Sequence, residues 1–307
     1  MKIFVTGASG WIGSAVVPEL LGAGHQVVGL ARSEASAQQL EEAGAQVQRG
    51  DLDDPAGLAR AAGDADGVIH LAFQHELAFG GNFAAAAAAD RRAVEAMGAA
   101  LADTDGPFVL ASGLLGMAAS RVATEDDGLV PSDAVRAIPA GRRSATALLA
   151  LSLRGIGVRS SVLRLPPTVH GDGDNGFMAT LVGIARQRGV AGYVGDGANR
   201  WPAVHRSDAA HLFRLAAESA PAGSVLHAVA DEGVPFLDIA EAMGRHLDLP
   251  ASSVTPADAG EHFAPLGHFV ALDSPATAAV TRELLAWEPT GPGLLDDLDQ
   301  DHYYRSR

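Results

Sequence analysis

The chain has 307 residues, of which 48% are hydrophobic, so it can bury a large core as one large domain or two fused domains. Its formal net charge is −15, and a surface this acidic repels phosphate backbones and anionic membranes, so nucleic acid and lipid surfaces are poor candidate partners. It contains no cysteine, which excludes disulfides, thiolate metal sites and cysteine nucleophiles.

Short apolar or β-branched runs alternate with longer helical patterns through the first 164 residues. The predicted strands lie at residues 3–5, 26–30, 45–48, 67–70, 108–110 and 158–163. The predicted helices lie at residues 12–21, 34–43, 83–101 and 143–153. Because this alternation pairs the strands in parallel and places helices on both faces, we predict an α/β fold with a doubly wound parallel sheet.

The pattern changes after Arg164. Pro166, Pro167 and the glycine-rich segment 171–176 are typical of loops, and strands become sparse beyond them. Residues 225–227 nevertheless predict one more strand, which we expect to return to the main sheet. We predict a first domain at 1–164 and a smaller lobe at 165–307 that partly interleaves with it. The acidic run at the end of that lobe predicts a solvated helix face or a frayed tail, at residues 296–301.

No targeting or membrane segment is evident in the sequence. No apolar run reaches the roughly 20 residues that a membrane-spanning helix needs. A strand already begins at Ile3, so we expect no signal peptide. We therefore expect a soluble, cytoplasmic protein.

Three glycines with the spacing G-x-x-G-x-x-G follow the first strand and open the first helix, at Gly7, Gly10 and Gly13. The first allows a tight turn, the second lets the backbone approach a pyrophosphate, and the third lets the helix pack closely on the strand. The helix start then offers free N–H groups to the phosphates. We therefore predict that a dinucleotide binds at this turn, through Gly7, Ser9, Gly10, Trp11 and Ile12.

The residues after the second strand indicate which dinucleotide binds. An NAD site places an acid there to accept a hydrogen bond from the ribose 2′-hydroxyl, whereas an arginine accommodates the 2′-phosphate of NADP. This chain has Arg32 and Ser33 at that position and no acid. We therefore predict NADP in preference to NAD, bound by Arg32 and Ser33, with a solvent-facing Arg32 as the alternative.

Five further segments, with the glycine turn, resemble the motifs of one protein family. They are residues 50–52, 68–72, 109–113, 164–171 and 201–210. The chain resembles the extended short-chain dehydrogenases/reductases, the NAD-dependent epimerase/dehydratase family, over nearly its whole length. The resemblance implies a Rossmann-type sheet with an NAD(P)-binding domain at 1–164 and a smaller substrate-binding lobe at 165–307.

The resemblance also implies site residues. Asp51 and Leu52 stand where the family holds the adenine, and Ser112 stands where strand five ends in the catalytic serine or threonine. The segment after strand four lies along the cofactor near its ribose, and the loop after strand six shapes the nicotinamide end. The residues carried over from these two segments are Leu71, Ala72, Phe73 and Pro166.

The family's Tyr-x-x-x-Lys pair is missing from this chain. It should fall within residues 138–147, which contain neither residue type, and the only lysine of the chain is Lys2. The resemblance aligns Arg143 with the tyrosine and Ala147 with the lysine. Because the pKa of an arginine lies above roughly 12, Arg143 is a poor proton donor, but it can bind a cofactor phosphate or a substrate anion. The alternative is a helix-surface arginine.

Catalysis would therefore need another proton carrier. The candidates are His75, His170 and Tyr193, since histidine titrates in the useful range and the other two tyrosines lie in the tail. Ser112 would hydrogen-bond a substrate oxygen, or alternatively satisfy a backbone group at its strand end. Arg143, His75 and Ser112 form the predicted catalytic set.

Three functions stay open on the sequence alone. They are an oxidoreductase or epimerase for a small carbonyl or hydroxyl compound, an NADP-binding sensor without turnover, and a non-redox lyase or isomerase. No H-E-x-x-H spacing and no G-x-S-x-G motif occurs, so we predict no metal and no hydrolase activity. We expect a small-molecule substrate and neither nucleic acid nor membrane, with a homodimer left open.

Overall fold

The computed structural model describes residues 1–118, 121–128, 139–267 and 269–305. Its strands in these ranges are Lys2–Thr6 (β1), Gln26–Ala31 (β2), Gln46–Arg49 (β3), Gly67–His70 (β4), Pro107–Gly113 (β5), Arg159–Leu165 (β6), Thr168–His170 (β7), Ala191–Val194 (β8), Arg200–His205 (β9), Ser224–His227 (β10), Asp231–Pro235 (β11) and Ala251–Val254 (β12). The longer helices are Gly13–Gly22 (α1), Glu34–Glu42 (α2), Pro55–Gly63 (α3), Phe83–Ala100 (α4), Pro139–Ser152 (α5), Phe177–Arg188 (α6), Arg206–Ser219 (α7), Phe236–Leu247 (α8) and Ala279–Leu285 (α9). Shorter helical segments lie at His75–Leu77, Ala78–Asn82, Leu153–Ile156, Ala259–His262, Leu294–Leu298 and Asp301–Tyr303.

A parallel sheet of seven strands organises the molecule. Its order is β10-β6-β5-β4-β1-β2-β3, and every neighbouring pair runs in parallel. The order reverses between β1 and β4, so the carboxyl ends of these two strands flank the crevice where ligands bind in open α/β sheets. The predicted Rossmann-type doubly wound fold is confirmed.

Side chains from alternate positions along each strand fill the cores on the two sides of the sheet. On β5, Val109 and Ala111 pack in the core that includes side chains of α1, α2 and α7, whereas Phe108 and Leu110 pack in the core that includes side chains of α3, α4 and α5. This two-residue period is what a strand buried on both faces requires.

Within the described ranges no helix is both long and apolar enough to cross a membrane.

Strands in the second half are more numerous than predicted. Outside the main sheet, a three-stranded sheet has the order β11-β9-β7, and β12 pairs with β8. The prediction that strands become sparse beyond the loop ending at residue 176 is therefore wrong, because β8, β9, β11 and β12 all follow it. The additional strands are three to six residues long and include glycine, proline and serine, so they carry little of the apolar alternation that identifies a strand.

The second half of the chain also completes the main sheet. Strand β10 pairs with β6 in parallel, with Ser224 opposite Ser161 and His227 opposite Arg164. The predicted return of a strand to the main sheet is confirmed. The boundary between residues 164 and 165 stays a prediction, and β6 itself runs across it.

Candidate cofactor and active site

Glycine is required at two positions of the turn between β1 and α1. Gly7 has a φ of +67°, and a Cβ added there would lie 2.8 Å from the backbone nitrogen of Ala72, just past β4. A Cβ on Gly13 would lie 2.1 Å from the carbonyl oxygen of Gly7 and 2.7 Å from backbone carbons of Ala8. The turn therefore closes tightly on itself and against the end of β4, as the glycine spacing predicts.

The outer side of the turn is open and offers unused donors. Gly10 is exposed, and a Cβ added there would meet only the Gly7 carbonyl oxygen, at 3.2 Å. No side chain caps the start of α1, and the N–H groups of Trp11 and Ile12 have no acceptor within the described part of the chain. Free N–H groups at a helix start are the donors that phosphates take, so this turn fits a pyrophosphate.

The Trp11 side chain braces the turn against the second half of the chain. Its indole nitrogen donates to the carbonyl oxygen of Val169 at 2.9 Å, and the Arg206 guanidinium lies 4.1 Å from the ring centre. The indole therefore points away from the open side of the turn, which leaves the backbone of Trp11 as its contribution to a bound phosphate.

Arg32 is exposed at the end of β2 and forms no ion pair with any described residue. Ser33 has a structural role, because its hydroxyl caps α2 by accepting from the Ser36 N–H at 3.1 Å. Arg49, at the end of β3, donates to the Ser33 carbonyl at 2.9 Å and pairs with Glu34 at 2.6 Å. Arg32 is therefore free to meet a 2′-phosphate, and Arg49 is a second cation nearby that the sequence analysis missed.

The segments carried over for the adenine and ribose lie beside the same edge of the sheet. Asp51 accepts a bond from the Asp53 N–H at 2.6 Å, and Leu52 is buried in the core. Leu71 donates to the Thr6 carbonyl at 3.2 Å, and Ala72 donates to the Thr6 hydroxyl at 3.3 Å. These bonds hold the end of β4 against the glycine turn.

Ser112 lies one residue before the carboxyl end of β5. It pairs in register with Arg164 of β6, which in turn pairs with His227 of β10. By the alternation along each strand, these three side chains project from the sheet face that α5 covers. Ser112 is half-buried, and its hydroxyl has no partner within the described residues, so it is available to a substrate oxygen.

Arg143 and His75, predicted from separate parts of the chain, meet around Phe73. The Arg143 guanidinium lies 4.2 Å from the Phe73 ring centre, and the His75 ring packs edge-on against Phe73 at 5.0 Å. Arg143 is half-buried, so it is not the helix-surface arginine of the alternative reading. Although part of His75 is open to solvent, the surrounding protein atoms and then the Arg143 charge lower the pKa of its ring.

A buried chain of polar groups leads from β1 to this cluster. The Thr6 hydroxyl and His70 Nδ1 lie 2.5 Å apart, and His70 Nε2 lies 3.2 Å from an Asp90 carboxylate oxygen. Burial lowers the pKa of Arg143, and the Asp90 charge partly opposes that shift. Asp90 escaped the sequence analysis, although a single acid within the alanine-rich start of α4 is the signal that could have found it.

His170 and Tyr193 do not belong to this cluster. His170 is fully buried, its Nδ1 lies 2.9 Å from Asp297, and its Nε2 is closed off from solvent. Tyr193, on β8, packs with the second-lobe core beside Gly197. His170 is therefore enclosed by protein atoms, whereas Tyr193 is half-buried and stays a predicted proton carrier. Because Asp297 is buried, the prediction that residues 296–301 form only a solvated face or frayed tail is wrong at that position.

Arg164 forms a second buried polar cluster beside Ser112. Its guanidinium donates to the Glu125 carbonyl at 3.4 Å and to His227 Nε2 at 3.2 Å. Burial lowers the pKa of His227, whose Nδ1 donates to the Thr277 carbonyl at 2.8 Å, so the ring is neutral and accepts from Arg164. No group of acidic or histidine side chains within the described ranges could hold a metal ion.

The parallel sheet and the glycine turn define a Rossmann-fold protein. The model of the NAD dependent epimerase/dehydratase family matches residues 3–228, and the chain belongs to this family. "Uncharacterized protein C2A9.02" of Schizosaccharomyces pombe is 42% identical over 304 residues, 99% of this chain and 100% of that protein. The 2-alkyl-3-oxoalkanoate reductase of Stenotrophomonas maltophilia is 29% identical over 237 residues, 73% of this chain and 67% of that enzyme.

Solved structures show the same fold across the whole chain. The crystal structure of UDP-glucose 4-epimerase from Thermotoga maritima with UDP-glucose superposes with a TM-score of 0.78. It is 20% identical, and the match covers 99% of this chain and 98% of the epimerase. The resemblance inferred from the motifs is therefore confirmed at the level of family and fold.

Proposed function

We propose that this protein is an NADP-dependent oxidoreductase or epimerase that acts on a small carbonyl or hydroxyl compound. The observation that carries the proposal is the meeting of Arg143 and His75 around Phe73, at the edge of the sheet that also holds Ser112 and the open glycine turn. The 2-alkyl-3-oxoalkanoate reductase supports the reductase reading, because its name describes the reduction of a carbonyl compound.

The proposed preference for NADP rests on Arg32. It is an exposed cation at the tip of β2 without an ion pair among the described residues, and the nearest acid in sequence, Glu34, is paired with Arg49. A guanidinium and a phosphate form a strong, charge-assisted pair. When bound, the nicotinamide cofactor supplies or accepts the hydride.

The protein side chains divide the remaining work. The Ser112 hydroxyl can donate and accept, so it holds the reacting oxygen of the substrate. The lowered pKa keeps His75 neutral near pH 7, and the ring takes the proton of a substrate hydroxyl during oxidation and returns it during reduction. Arg143 keeps its proton and stabilises negative charge on the substrate.

The cofactor part is tested by calorimetry. NADP should bind more tightly than NAD, and Arg32→Asp should narrow or reverse that preference because it replaces the cation by an acid. Arg60→Asp, at an exposed arginine of α3, makes the same charge change away from the site and should leave the preference unaltered. Tighter binding of NAD to the wild-type protein would refute the NADP assignment.

Catalysis is tested by following NADPH oxidation with a panel of small carbonyl compounds. Ser112→Ala should lower kcat about a hundredfold, because one well-aimed donor is worth on the order of 3 kcal/mol, and it should leave the Kd for NADP unchanged. Ser152→Ala, at the exposed end of α5, is the control for losing a hydroxyl. Full kcat in Ser112→Ala would refute the proposed role of Ser112, and His75 would be the next residue to substitute.

A second candidate function follows from the missing Tyr-x-x-x-Lys pair. A protein that binds NADP tightly but oxidises no NADPH across the panel would be a sensor, or a non-redox lyase or isomerase that keeps the dinucleotide as structure. Capture of a protein partner only in the presence of NADP would favour the sensor.

A further inference from the structure

Arg143 has hydrogen-bond donors that no described residue of the protein uses. Its guanidinium is half-buried, yet it lies within ion-pair distance of no carboxylate and donates to no acceptor in the described part of the chain. The nearby acid Asp90 bonds to His70 instead, at 3.2 Å. Removing a cation from water without pairing it costs free energy, and that cost is recovered when an anion binds.

The Phe73 ring restricts where that anion can approach. The central carbon of the guanidinium lies over this ring, 4.2 Å from its centre. The five N–H groups of arginine project in the plane of the guanidinium, so stacking on a ring leaves them available. A planar carboxylate matches this fork with two parallel hydrogen bonds.

Arg164 provides a contrast within the same edge of the sheet. It also lacks a carboxylate partner among the described residues, but it is only 4% exposed and donates to the Glu125 carbonyl and to His227. Arg164 therefore ties three protein segments together, whereas Arg143 has no such use for its donors. Of these two arginines, only the half-buried Arg143 has donors left for a ligand among the described residues.

The strand order separates Arg143 from the phosphates of the cofactor. Along the carboxyl edge, Arg32 follows β2, the glycine turn follows β1, Phe73 follows β4, and Ser112 ends β5. The 2′-phosphate and pyrophosphate therefore belong near β2 and β1. Arg143, whose guanidinium lies over the Phe73 ring, belongs with β4 and β5, on the side of the strand order where Ser112 lies.

We infer that the substrate bears a carboxylate close to its reacting carbonyl or hydroxyl carbon, and that Arg143 binds this carboxylate. The inference rests on the proposed function for the reaction at Ser112, but the binding of an anion by Arg143 does not depend on turnover. A short 2-oxo or 3-oxo acid, whose carboxylate is one or two bonds from its carbonyl carbon, is the substrate class that this inference predicts.

Direct binding tests the inference without catalysis. Oxamate and malonamate are amide analogues of a 2-oxo and a 3-oxo acid, and neither accepts a hydride under these conditions. Calorimetry on the NADP-saturated protein should show binding of one of them, weakened at least tenfold in Arg143→Met. The Arg143→Lys variant keeps the positive charge but loses the planar guanidinium, so its affinity for the amide should lie between those of the wild type and Arg143→Met. Arg91→Met, at an exposed arginine of α4, should bind like the wild type.

Turnover provides the second measurement. If NADPH is oxidised, acetoacetate or pyruvate should have a higher kcat/KM than its own methyl ester. Arg143→Met should lower the ratio of kcat/KM for the acid to kcat/KM for the ester at least tenfold. Thermal unfolding of each variant checks that it is folded. No binding of either amide, or equal binding by folded Arg143→Met, overturns the carboxylate inference. Absence of NADPH oxidation with amide binding intact overturns only the proposed reaction.

Discussion

The glycine turn near the start of the chain and the polar network near its end are built by opposite means. The turn works through backbone alone, and its outer N–H groups are left free for a ligand. The network works through side chains that satisfy one another. In it, His170 bonds to Asp297 at 2.9 Å, and Tyr303 donates to Asp174 at 2.9 Å.

The two regions meet at the loop after β7. The Tyr303 oxygen accepts the Gly171 N–H at 3.3 Å, and Gly173 faces the Trp11 ring. The network therefore holds the loop that packs against the turn, while the turn presents itself to the cofactor. The turn keeps donors unsatisfied for a ligand. Most hydrogen-bonding groups of the network pair with one another, with His170 Nε2, His302 Nε2 and the Tyr304 hydroxyl as exceptions among the described residues. Substitutions in the two regions should consequently fail in different ways.

The largest expected effect is at Gly13. A side chain there would press into the backbone of Gly7 and Ala8, which cannot move without opening the turn. We expect Gly13→Val to destabilise the protein by more than about 4 kcal/mol, or to prevent folding, as measured by urea unfolding. Gly22→Ala, in open space at the end of α1, should be neutral or slightly stabilising. A Gly13→Val protein as stable as wild type would show that the turn is looser than described.

The next largest effect is expected at Asp297. Asp297→Ala leaves His170 Nδ1 buried without its hydrogen-bond partner, which costs about 2–3 kcal/mol in the free energy of unfolding. Asp296→Ala, at the exposed neighbour, should change that free energy by less than about 0.5 kcal/mol. Equal losses in the two variants would place Asp297 on the surface and restore the reading of this run as a solvated tail.

Gly10 should separate binding from folding. A side chain at this open position meets only one backbone atom in the protein but occupies the space of the pyrophosphate. We expect Gly10→Val to melt near the wild-type temperature and to bind NADP at least a hundredfold more weakly, by calorimetry. If the folded variant kept its affinity, the dinucleotide would bind elsewhere.

The smallest effect concerns two adjacent tyrosines. The Tyr303 hydroxyl bonds to Asp174, whereas the Tyr304 hydroxyl is buried and has no partner within the described residues. Tyr303→Phe should therefore cost about 1–2 kcal/mol in urea unfolding, and Tyr304→Phe should cost nothing or stabilise. The reverse order would contradict this assignment of the network.

The main sheet was predictable because its signals are local. Each predicted strand and helix of the first 164 residues is present, with ends shifted by a few residues. Helix α3 was overlooked, although Asp54 as its cap and Pro55 at its first turn are ordinary start signals. The short strands of the second lobe lack apolar alternation, so only tertiary pairing reveals them.

The candidate site was only partly predictable. The glycine turn and Arg32 are encoded by neighbouring residues, and the family resemblance pointed to Ser112, His75 and Arg143. The contacts of His75 and Arg143 with Phe73 arise from the tertiary structure and cannot be predicted from residue spacing in the sequence. The partners of the buried pairs are 20 residues apart for His70 with Asp90 and 127 apart for His170 with Asp297, far beyond any local signal.

Strand β10 determines when the sheet can be finished during synthesis. Until it emerges, β6 is an outer strand whose N–H and C=O groups are open to another chain, with Val162 and Leu163 among its apolar residues. His227 of β10 follows its β6 partner Arg164 by 63 residues, so helices α6 and α7 are synthesised before β10. The Thr281 hydroxyl of α9 then accepts the His227 N–H at 2.8 Å and so covers part of β10, the final edge strand. A fragment that ends before β10 would therefore expose the edge of β6 and self-associate through it.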